Sequence, residues 1–423
     1  MILAQGTLLP DSRLPRILAD LEREIDHTRS TTSLPAQVVV QACTHLLDQL
    51  DRGELNALLV QYATPQIMED LTRYRALLRP ESLHYKLATE LGPLLDGSVS
   101  RPFGRALAVP LGTLLHITAG NLDGLPAFSA LEGLLTGNVN LLKLPSGDPG
   151  LSLTLLHLLT QAEPRIAPFL YAFSIPSRDT PSLRALAELA DGIVTWGGEE
   201  AIRAVRAMAP PGCKLIEWGH RLSFVYLSGV AQPWELAALA RHITETGGLL
   251  CSSCQVIFLD TEDPEEALAF CHAFLPTLEQ AAAEGNTTPG QAAQATLHGY
   301  EHQLEQLLQH TGAQVLRGRG CSVTLCRDRE LELSPLHGNV LVKCLPRKAL
   351  FSVLRRRRGR LQTAGLLCPP DQKEELSRLL ANAGVTRITT VGHLSHPFLG
   401  EGHDGEYPLR RYMRIVDLEE IRE

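Results

Sequence analysis

The chain has 423 residues, 44% of them hydrophobic and 20% charged, with a formal net charge of −8. One hydrophobic core stops growing at about 250–300 residues, so at least two domains are expected. The acidic balance excludes a general nucleic-acid binder, which needs a basic excess. No run of about 18 apolar residues is present, so no membrane helix is expected.

The first residues, MILAQGTLLPDSRLPR, have no basic start, and their short apolar stretch is broken by Gln5 and Pro10, which argues against a secretory signal. Residues 11–93 read as mostly helical, because apolar positions in LPAQVVVQACTHLLDQL recur at three- and four-residue intervals. Between Gly92 and Gly112 the chain turns to Gly, Pro and short alternating apolar stretches, the texture of extended structure or a hairpin. From Leu111 to about Gly219 strands and helices alternate. GTLLHITAG is a buried strand, Gly124 to Thr136 a helix, Val139 to Leu142 a strand and Leu151 to Ala162 a helix. Phe169 to Ser174, Ser182 to Ala190, Gly192 to Thr195 and Glu199 to Met208 continue the rhythm. Such βαβ alternation predicts a parallel sheet wrapped by helices. A second unit, from about His220 to His393, should carry helices at Pro233–Thr246, Pro264–Glu284 and Pro289–His310. Its strands are expected at Val323–Cys326, Asn339–Cys344 and Arg387–Val391, and the alternating RYMRIVDL of the tail reads as an edge strand.

The nine cysteines are scattered and odd in number, which with no signal peptide points to free thiols in a reducing, cytoplasmic setting. In TGGLLCSSCQVIFLD a helix ends at Gly247-Gly248 and a strand begins near Gln255, so Cys251 lies on a turn. Backbone N–H groups clustered on such a turn can lower a thiol's pKa and bind an oxyanion. A buried, inert cysteine is the competing reading. Cys251 and Cys254 also form a CxxC. A thioredoxin-like site would place that pair at a helix start, and a zinc site would need a second ligand pair, for which Cys321 and Cys326 have a wider gap.

Four further segments carry chemistry. Asn121 in HITAGNLDGLP follows a buried strand at its carboxyl end, where ligands of parallel sheets bind and a carboxamide can meet an oxyanion. Lys143 ends the short strand of TGNVNLLKLPSG, where a cation can hold ribose hydroxyls or a phosphate. Gly197-Gly198 in IVTWGGEEAIRAV lies between strand and helix, a place for a phosphate, although no GxGxxG occurs anywhere. Glu217 in LIEWGH closes an apolar stretch before Gly219. Taken singly, each of these is also an ordinary turn or surface residue. The basic run Arg355, Arg356, Arg357, Arg358 and Arg360 reads either as a solvated helix face or as a docking patch, for coenzyme A phosphates or an acidic carrier protein.

In their order and spacing these segments resemble the aldehyde dehydrogenase superfamily: Asn on a strand-end loop, GN-x₄-K, strand-GG-helix, E-x-G and a Gly-preceded Cys. Glu217 and Cys251 stand 34 positions apart, which suits that pattern. AGNLDGL, GLLTGNVNLLKLPS, CSS followed by Gln, SPLHGNVLV, LQTAG and the terminal HDGEYPLRRY–VDLE resemble the acyl-CoA reductase branch, the LuxC family, from about residue 90 to the end.

The resemblance implies an α/β, aldehyde dehydrogenase-like fold with cofactor-binding and catalytic parallel-sheet domains and a small bridging β element. Its expected parts are a helical portion at 1–90, a bridging hairpin at 91–110, a cofactor domain at 111–219, a catalytic domain at 220–393 and a bridging segment at 394–423. It implies an NADPH-dependent (or NADH-dependent) reduction of an acyl-CoA or acyl carrier protein thioester to an aldehyde through an S-acyl cysteine. Cys251 would be the nucleophile, Asn121 with the Cys251 N–H the oxyanion site, and Glu217 the acid/base match. Thr118, Ala119, Lys143, Ser146, Trp196, Gly197, Gly198, Gly219 and His337 would border the cofactor.

Ser146 stands where NAD-preferring members often carry an acid, which favours NADPH. Gly219-His220 replaces Gly-Gly, and Pro335, beside His337, stands where a ribose-holding glutamate is usual. Aldehyde oxidation, acyl phosphate reduction, a scaffold subunit for an acyl ligase or synthetase, and CxxC metal or redox chemistry are the alternatives. No resident metal is expected, and a homo-oligomer is.

Overall fold

The computed structural model describes residues 1–62, 72, 75–101, 104–120, 124–285, 289–396, 398 and 400–419. The chain packs as two units, Met1–Gly219 with Phe398–Glu423, and His220–Pro397.

The first unit is built on a seven-stranded sheet. Its strands are β1 (Ile2–Ala4), β2 (Thr7–Leu9), β5 (Thr113–Ile117), β6 (Val139–Lys143), β7 (Leu170–Phe173), β8 (Gly192–Gly197) and β9 (Lys214–Gly219). They lie in the order β2-β1-β7-β6-β5-β8-β9. The run from β7 to β9 is parallel. Helices Leu125–Leu135, Leu151–Ala162, Thr180–Glu188 and Glu199–Met208 make the crossovers. Burial explains the sequence texture: β6 and β7 are buried at every position, as strands covered on both faces must be.

The strand order reverses between β5 and β8, because β5 connects through a helix to β6 on one side while β8 follows on the other. In open α/β sheets that switch point, at the carboxyl ends, is where ligands bind. A separate three-stranded antiparallel sheet joins β3 (Ser98–Arg101), β4 (Gly104–Pro110) and β17 (Met413–Glu419) in the order β17-β4-β3. The hairpin texture after Gly92 and the alternating tail thus become one small sheet, with the tail at its edge.

The second unit holds β10 (Leu222–Leu227), β11 (Cys254–Leu259), β12 (Gln314–Gly318), β13 (Cys321–Cys326), β14 (Asn339–Cys344), β15 (Leu361–Leu367) and β16 (Arg387–Thr389). Their order is β12-β13-β14-β11-β10-β15-β16, and all are parallel except β12. Helices Pro233–Thr246 and Pro264–Glu284 pack Leu239, Ile243, Cys271, Phe274 and Leu278 against this sheet.

Some elements go beyond the sequence reading. The N-terminal segment forms a hairpin, β1–β2, turned by Gln5 (φ 49°) and Gly6 (φ 71°), and β1 extends the sheet antiparallel to β7. A two-residue turn with both φ positive matches the twist of its strands. The central strands β10 and β15 and the edge strand β12 are further additions. Their apolar runs are short, and periodicity does not separate a short buried strand from a helix fragment.

Candidate active site

In the second unit Cys251 lies on the turn between helix Pro233–Thr246 and β11, at the amino edge of the sheet. Two glycines in left-handed conformation, Gly247 (φ 56°) and Gly248 (φ 79°), end the helix and reverse the chain. The positive φ of Gly248 favours glycine there, and a side chain would also press on Leu336 Cδ2 at 3.0 Å.

The turn is pinned from several directions. Ser223 Oγ, at the start of β10, donates to the Cys251 carbonyl at 2.6 Å and accepts from Thr363 N at 3.0 Å. Leu250 N donates to Ser253 Oγ, and Ser253 N to the Leu250 carbonyl, both at 3.0 Å. Gln255 Nε2 donates to the Gly248 carbonyl at 2.9 Å, while its Oε1 accepts from Ser334 N and Oγ. Ser252 and Ser395 hydroxyls share a hydrogen bond of 2.7 Å. These bonds fix the backbone that carries the thiol, which is half-buried and in no disulfide.

Burial raises the thiol pKa of each of the remaining eight cysteines. Burial pushes the thiols of Cys43, Cys271, Cys321 and Cys326 up to about 12 and that of Cys213 to about 11. Cys344 and Cys368 are raised for the same reason. Cys254 is fully buried, its thiol is driven upward, and its Sγ points to the Val256 carbonyl at 3.6 Å. Its backbone N–H donates to His242 Nε2 at 3.1 Å, so the second cysteine of the CxxC anchors the turn's exit into β11.

His337 lies on a tight segment beside the same glycines. Leu336, His337 and Gly338 have φ of 66°, 50° and 83°, and His337 N donates to the Gly247 carbonyl at 2.7 Å. Consecutive left-handed residues, two of them not glycine, are held only where the surroundings over-determine them. The His337 ring stacks on His298, with centroids 5.1 Å apart.

The expected cofactor residues of the first unit gather at the carboxyl ends of its strands. Thr118 and Ala119 follow β5, Lys143 ends β6, Ser146 is exposed on the turn after it, Trp196 and Gly197 end β8, Gly198 precedes the next helix and Gly219 ends β9. Lys143 is buried, its Nζ donates to Ser177 Oγ at 3.0 Å, and burial lowers its pKa. The buried Thr118 Oγ1 has no hydrogen-bond partner among the described residues. A buried unpaired hydroxyl costs stability unless a ligand satisfies it. With the Lys143 cation beside the switch point, this donor set fits the hydroxyls and phosphates of a dinucleotide. Asn121 lies outside the described residues.

Glu217, within β9, is held by both nitrogens of an Arg206 fork, Nε–Oε1 and Nη2–Oε2 each at 2.6 Å. The Trp196 ring packs on Trp218 and His403, with centroids at 5.7 and 4.8 Å. Its indole N–H opens a buried relay that sequence reasoning missed. Trp196 Nε1 donates to Ser129 Oγ at 3.0 Å, and Ser129 Oγ lies 2.8 Å from His116 Nδ1. His116 Nε2 meets Asn140 Oδ1 at 2.9 Å, and Asn140 Nδ2 donates to the Asn138 carbonyl at 2.7 Å. Asn138 Nδ2 continues to the carbonyl of Tyr412, ahead of β17, at 3.0 Å. Because Asn140 Oδ1 can only accept, His116 Nε2 carries the proton and Nδ1 accepts from Ser129. The signal was in the sequence: a His and an Asn inside otherwise apolar strands, TLLHI and VNLLK, need buried partners.

Solved aldehyde dehydrogenases share this architecture. Methylmalonate-semialdehyde dehydrogenase (DddC) from Oceanimonas doudoroffii superposes with a TM-score of 0.72 over 100% of this chain and 98% of its own, at 14% identity. A bifunctional proline utilization A protein matches with a TM-score of 0.73 over 97% of this chain and 45% of its own, at 15% identity. The protein therefore has the aldehyde dehydrogenase-like α/β fold.

The acyl-CoA reductase (LuxC) family model matches residues 38–415, and the chain belongs to that family. Curated relatives are similar too. A long-chain acyl-protein thioester reductase of Photorhabdus laumondii is 30% identical over 164 residues, 38% of this chain and 34% of the relative. One from Aliivibrio fischeri is 23% identical over 385 residues, 88% of this chain and 74% of the relative. The matched stretches span about a third of the first relative and about two fifths of a second, from Vibrio harveyi. Among the described residues no helix is long and apolar enough to cross a membrane.

Proposed function

We propose that the protein reduces a long-chain acyl thioester to an aldehyde, with Cys251 carrying the acyl group. The observation that supports this most directly is the pinned, glycine-preceded turn that presents Cys251 while burial raises the other eight thiols. The family and the printed names of the relatives supply the substrate class.

The Cys251 thiolate attacks the thioester carbonyl and forms a new carbon–sulfur bond. The tetrahedral intermediate collapses, the bond to the carrier sulfur breaks, and the carrier leaves as its thiolate. One difficult step becomes two easier ones. Thr118 and Lys143 would hold a bound NADPH, whose chemistry would be hydride donation, and the S-acyl group on Cys251 would become a thiohemiacetal oxyanion. Collapse of that oxyanion releases the aldehyde and returns the Cys251 thiolate. Asn121 and the Cys251 N–H take the part of oxyanion donors in this reading, as the family resemblance implies.

Reduction uses no hydrolytic water, so Glu217 need not serve as a base. Its bidentate bond to Arg206 suits a carboxylate with a positioning role within β9. Thr118 and Lys143 would hold the cofactor's hydroxyls and phosphate.

The test is to incubate the protein with acyl-CoA thioesters of graded length, without cofactor, and to weigh it intact before mapping peptides. An acyl adduct on Cys251 that disappears with NADPH as aldehyde appears is the expected result. An adduct on another cysteine, or none from any thioester, refutes the reading.

Cofactor preference gives a second prediction. Ser146 is exposed on the turn that follows Lys143, so a 2′-phosphate would meet a hydroxyl there rather than a carboxylate. Ser146→Glu is expected to weaken NADPH binding roughly tenfold while leaving NADH within about twofold, since a like charge near the phosphate repels it. Fluorescence titration with each nucleotide measures this, and equal effects on both would contradict the NADPH preference.

A further inference from the structure

We propose that the arginine turn between helix Arg347–Arg355 and β15 docks an acidic protein that delivers its acyl group to Cys251 as a thioester. The proposal rests on the thioester-reductase reading and adds to it the surface on which a protein donor docks.

The turn is unusual for a chain of net charge −8. Arg355, Arg356, Arg357, Arg358 and Arg360 crowd into one helix end and the bend after it, where Gly359 has φ 74°. One arginine in a last helical turn complements the helix dipole. Five cations repel one another, and a fold does not need them for capping. Glu330 pairs with the turn, to Arg356 at 2.7 Å and Arg357 at 3.8 Å. Arg355 and Arg358 are exposed and have no ion pair among the described residues. One turn before Arg355 on the same helix face stands Phe351, 41% exposed. An exposed phenylalanine beside the exposed guanidinium groups of Arg355 and Arg358 suits the carboxylates and apolar contacts of a protein partner.

The position matters as much as the charge. Leu222 N donates to the Arg360 carbonyl at 2.7 Å, and Leu222 pairs with Leu361. The next residue, Ser223, donates to the Cys251 carbonyl and accepts from Thr363 N. The arginine turn and the nucleophile's turn are therefore neighbours on the amino edge of one sheet, with β10 alone between β15 and β11. Two strand spacings amount to about 10 Å. A carrier seated on the arginines would thus sit on the same sheet edge as Cys251, within a few strand spacings of it.

The experiment measures acylation of Cys251 by intact-protein mass spectrometry, without NADPH, from three donors bearing the same long acyl chain. The donors are an acidic acyl carrier protein, coenzyme A and uncharged N-acetylcysteamine. Wild type should react with the carrier protein at a rate that falls steeply with salt, as steered encounters do. Arg355→Glu with Arg358→Glu should slow that reaction roughly tenfold or more at low salt and abolish its salt dependence, with N-acetylcysteamine changed less than about twofold. Arg355→Lys with Arg358→Lys should restore most of the rate.

An unchanged carrier-protein rate in the charge-reversed protein overturns the proposal. So does an equal loss with coenzyme A, which would make the nucleotide phosphates the ligand. A fall with all three donors also overturns it, because the turn would then support the nucleophile rather than a partner. If wild-type Cys251 reacts with none of the donors, the thioester-reductase reading itself has failed and the docking proposal falls with it.

Discussion

Cys251→Ser is expected to lose S-acylation altogether and to lower thioester reduction by at least roughly a thousandfold, while the protein folds as before. The physical reason is that a serine hydroxyl is far less ionised and less nucleophilic than a thiol, and nothing on the turn replaces that chemistry. Fold retention is expected because the turn is pinned through backbone groups and through Ser223, Ser253 and Gln255, none of which involves Sγ. Cys254→Ser is the matched control. Its thiol is sealed beneath the turn, so acylation of Cys251 should stay within about twofold, with any loss appearing in stability. Intact mass after exposure to an acyl thioester, with circular dichroism on the same samples, separates the two variants. Wild-type turnover by Cys251→Ser would end the assignment.

Acidification from pH 7 to pH 4.5 is expected to remove several kcal/mol of stability, before most carboxylates titrate. His116 and His242 are buried, one in each unit, and burial lowers both to about 4 from an ordinary 6.5. For His242 repulsion from His396 adds to this. A group whose folded pKa is depressed contributes stability that is fully present above its unfolded pKa. As pH falls below about 6.5 the unfolded chain takes up the proton first, and stability declines until the folded pKa is passed. Each histidine thus accounts for up to about 3 kcal/mol at one unit per 1.36 kcal/mol. Glu90 acts in the opposite sense, because burial raises its carboxyl and protonation relieves that cost.

The histidines can be told apart from such background by substitution. His116→Gln and His242→Gln should each reduce the pH slope, at some cost in stability at pH 7. Urea unfolding at pH 7, 5.5 and 4.5 measures this, and a slope unaffected by either change would show that other groups set the acid limit. His242 carries a functional corollary. Protonation at Nε2 removes the acceptor for Cys254 N, three residues from Cys251, so acid should disturb the nucleophile's turn early.

The fold class was legible in the sequence because it rests on local texture. Apolar runs such as VNLLK and GIVTW, spaced by helices with apolar faces, leave little choice but a parallel sheet covered on both sides. The alternating tail and the glycine-rich stretch near residue 100 likewise announced extended strands. Cys251 and the Gly247-Gly248 pair could be placed on a turn, and Lys143 at a strand's end, by the same local evidence, since Gly-Gly between helix and strand has few other uses.

What the linear pattern left open depends on partners far apart in the chain. That β10 lies between β11 and β15 is decided by packing, and only then do Ser223, Cys251 and Thr363 share one hydroxyl's hydrogen bonds. The difference between Cys251 and Cys254 is likewise tertiary, because burial arises from the sheet and helices that close over one thiol and leave the other half-exposed. The relay from Trp196 through His116 to the Tyr412 carbonyl joins residues as distant as 274 positions, and no periodicity encodes such a match. Sequence alone determined which residues could do chemistry and on what kind of element each stands. Tertiary structure decided which thiols are buried and how each turn is held, because desolvation and hydrogen-bond partners are properties of neighbours in space.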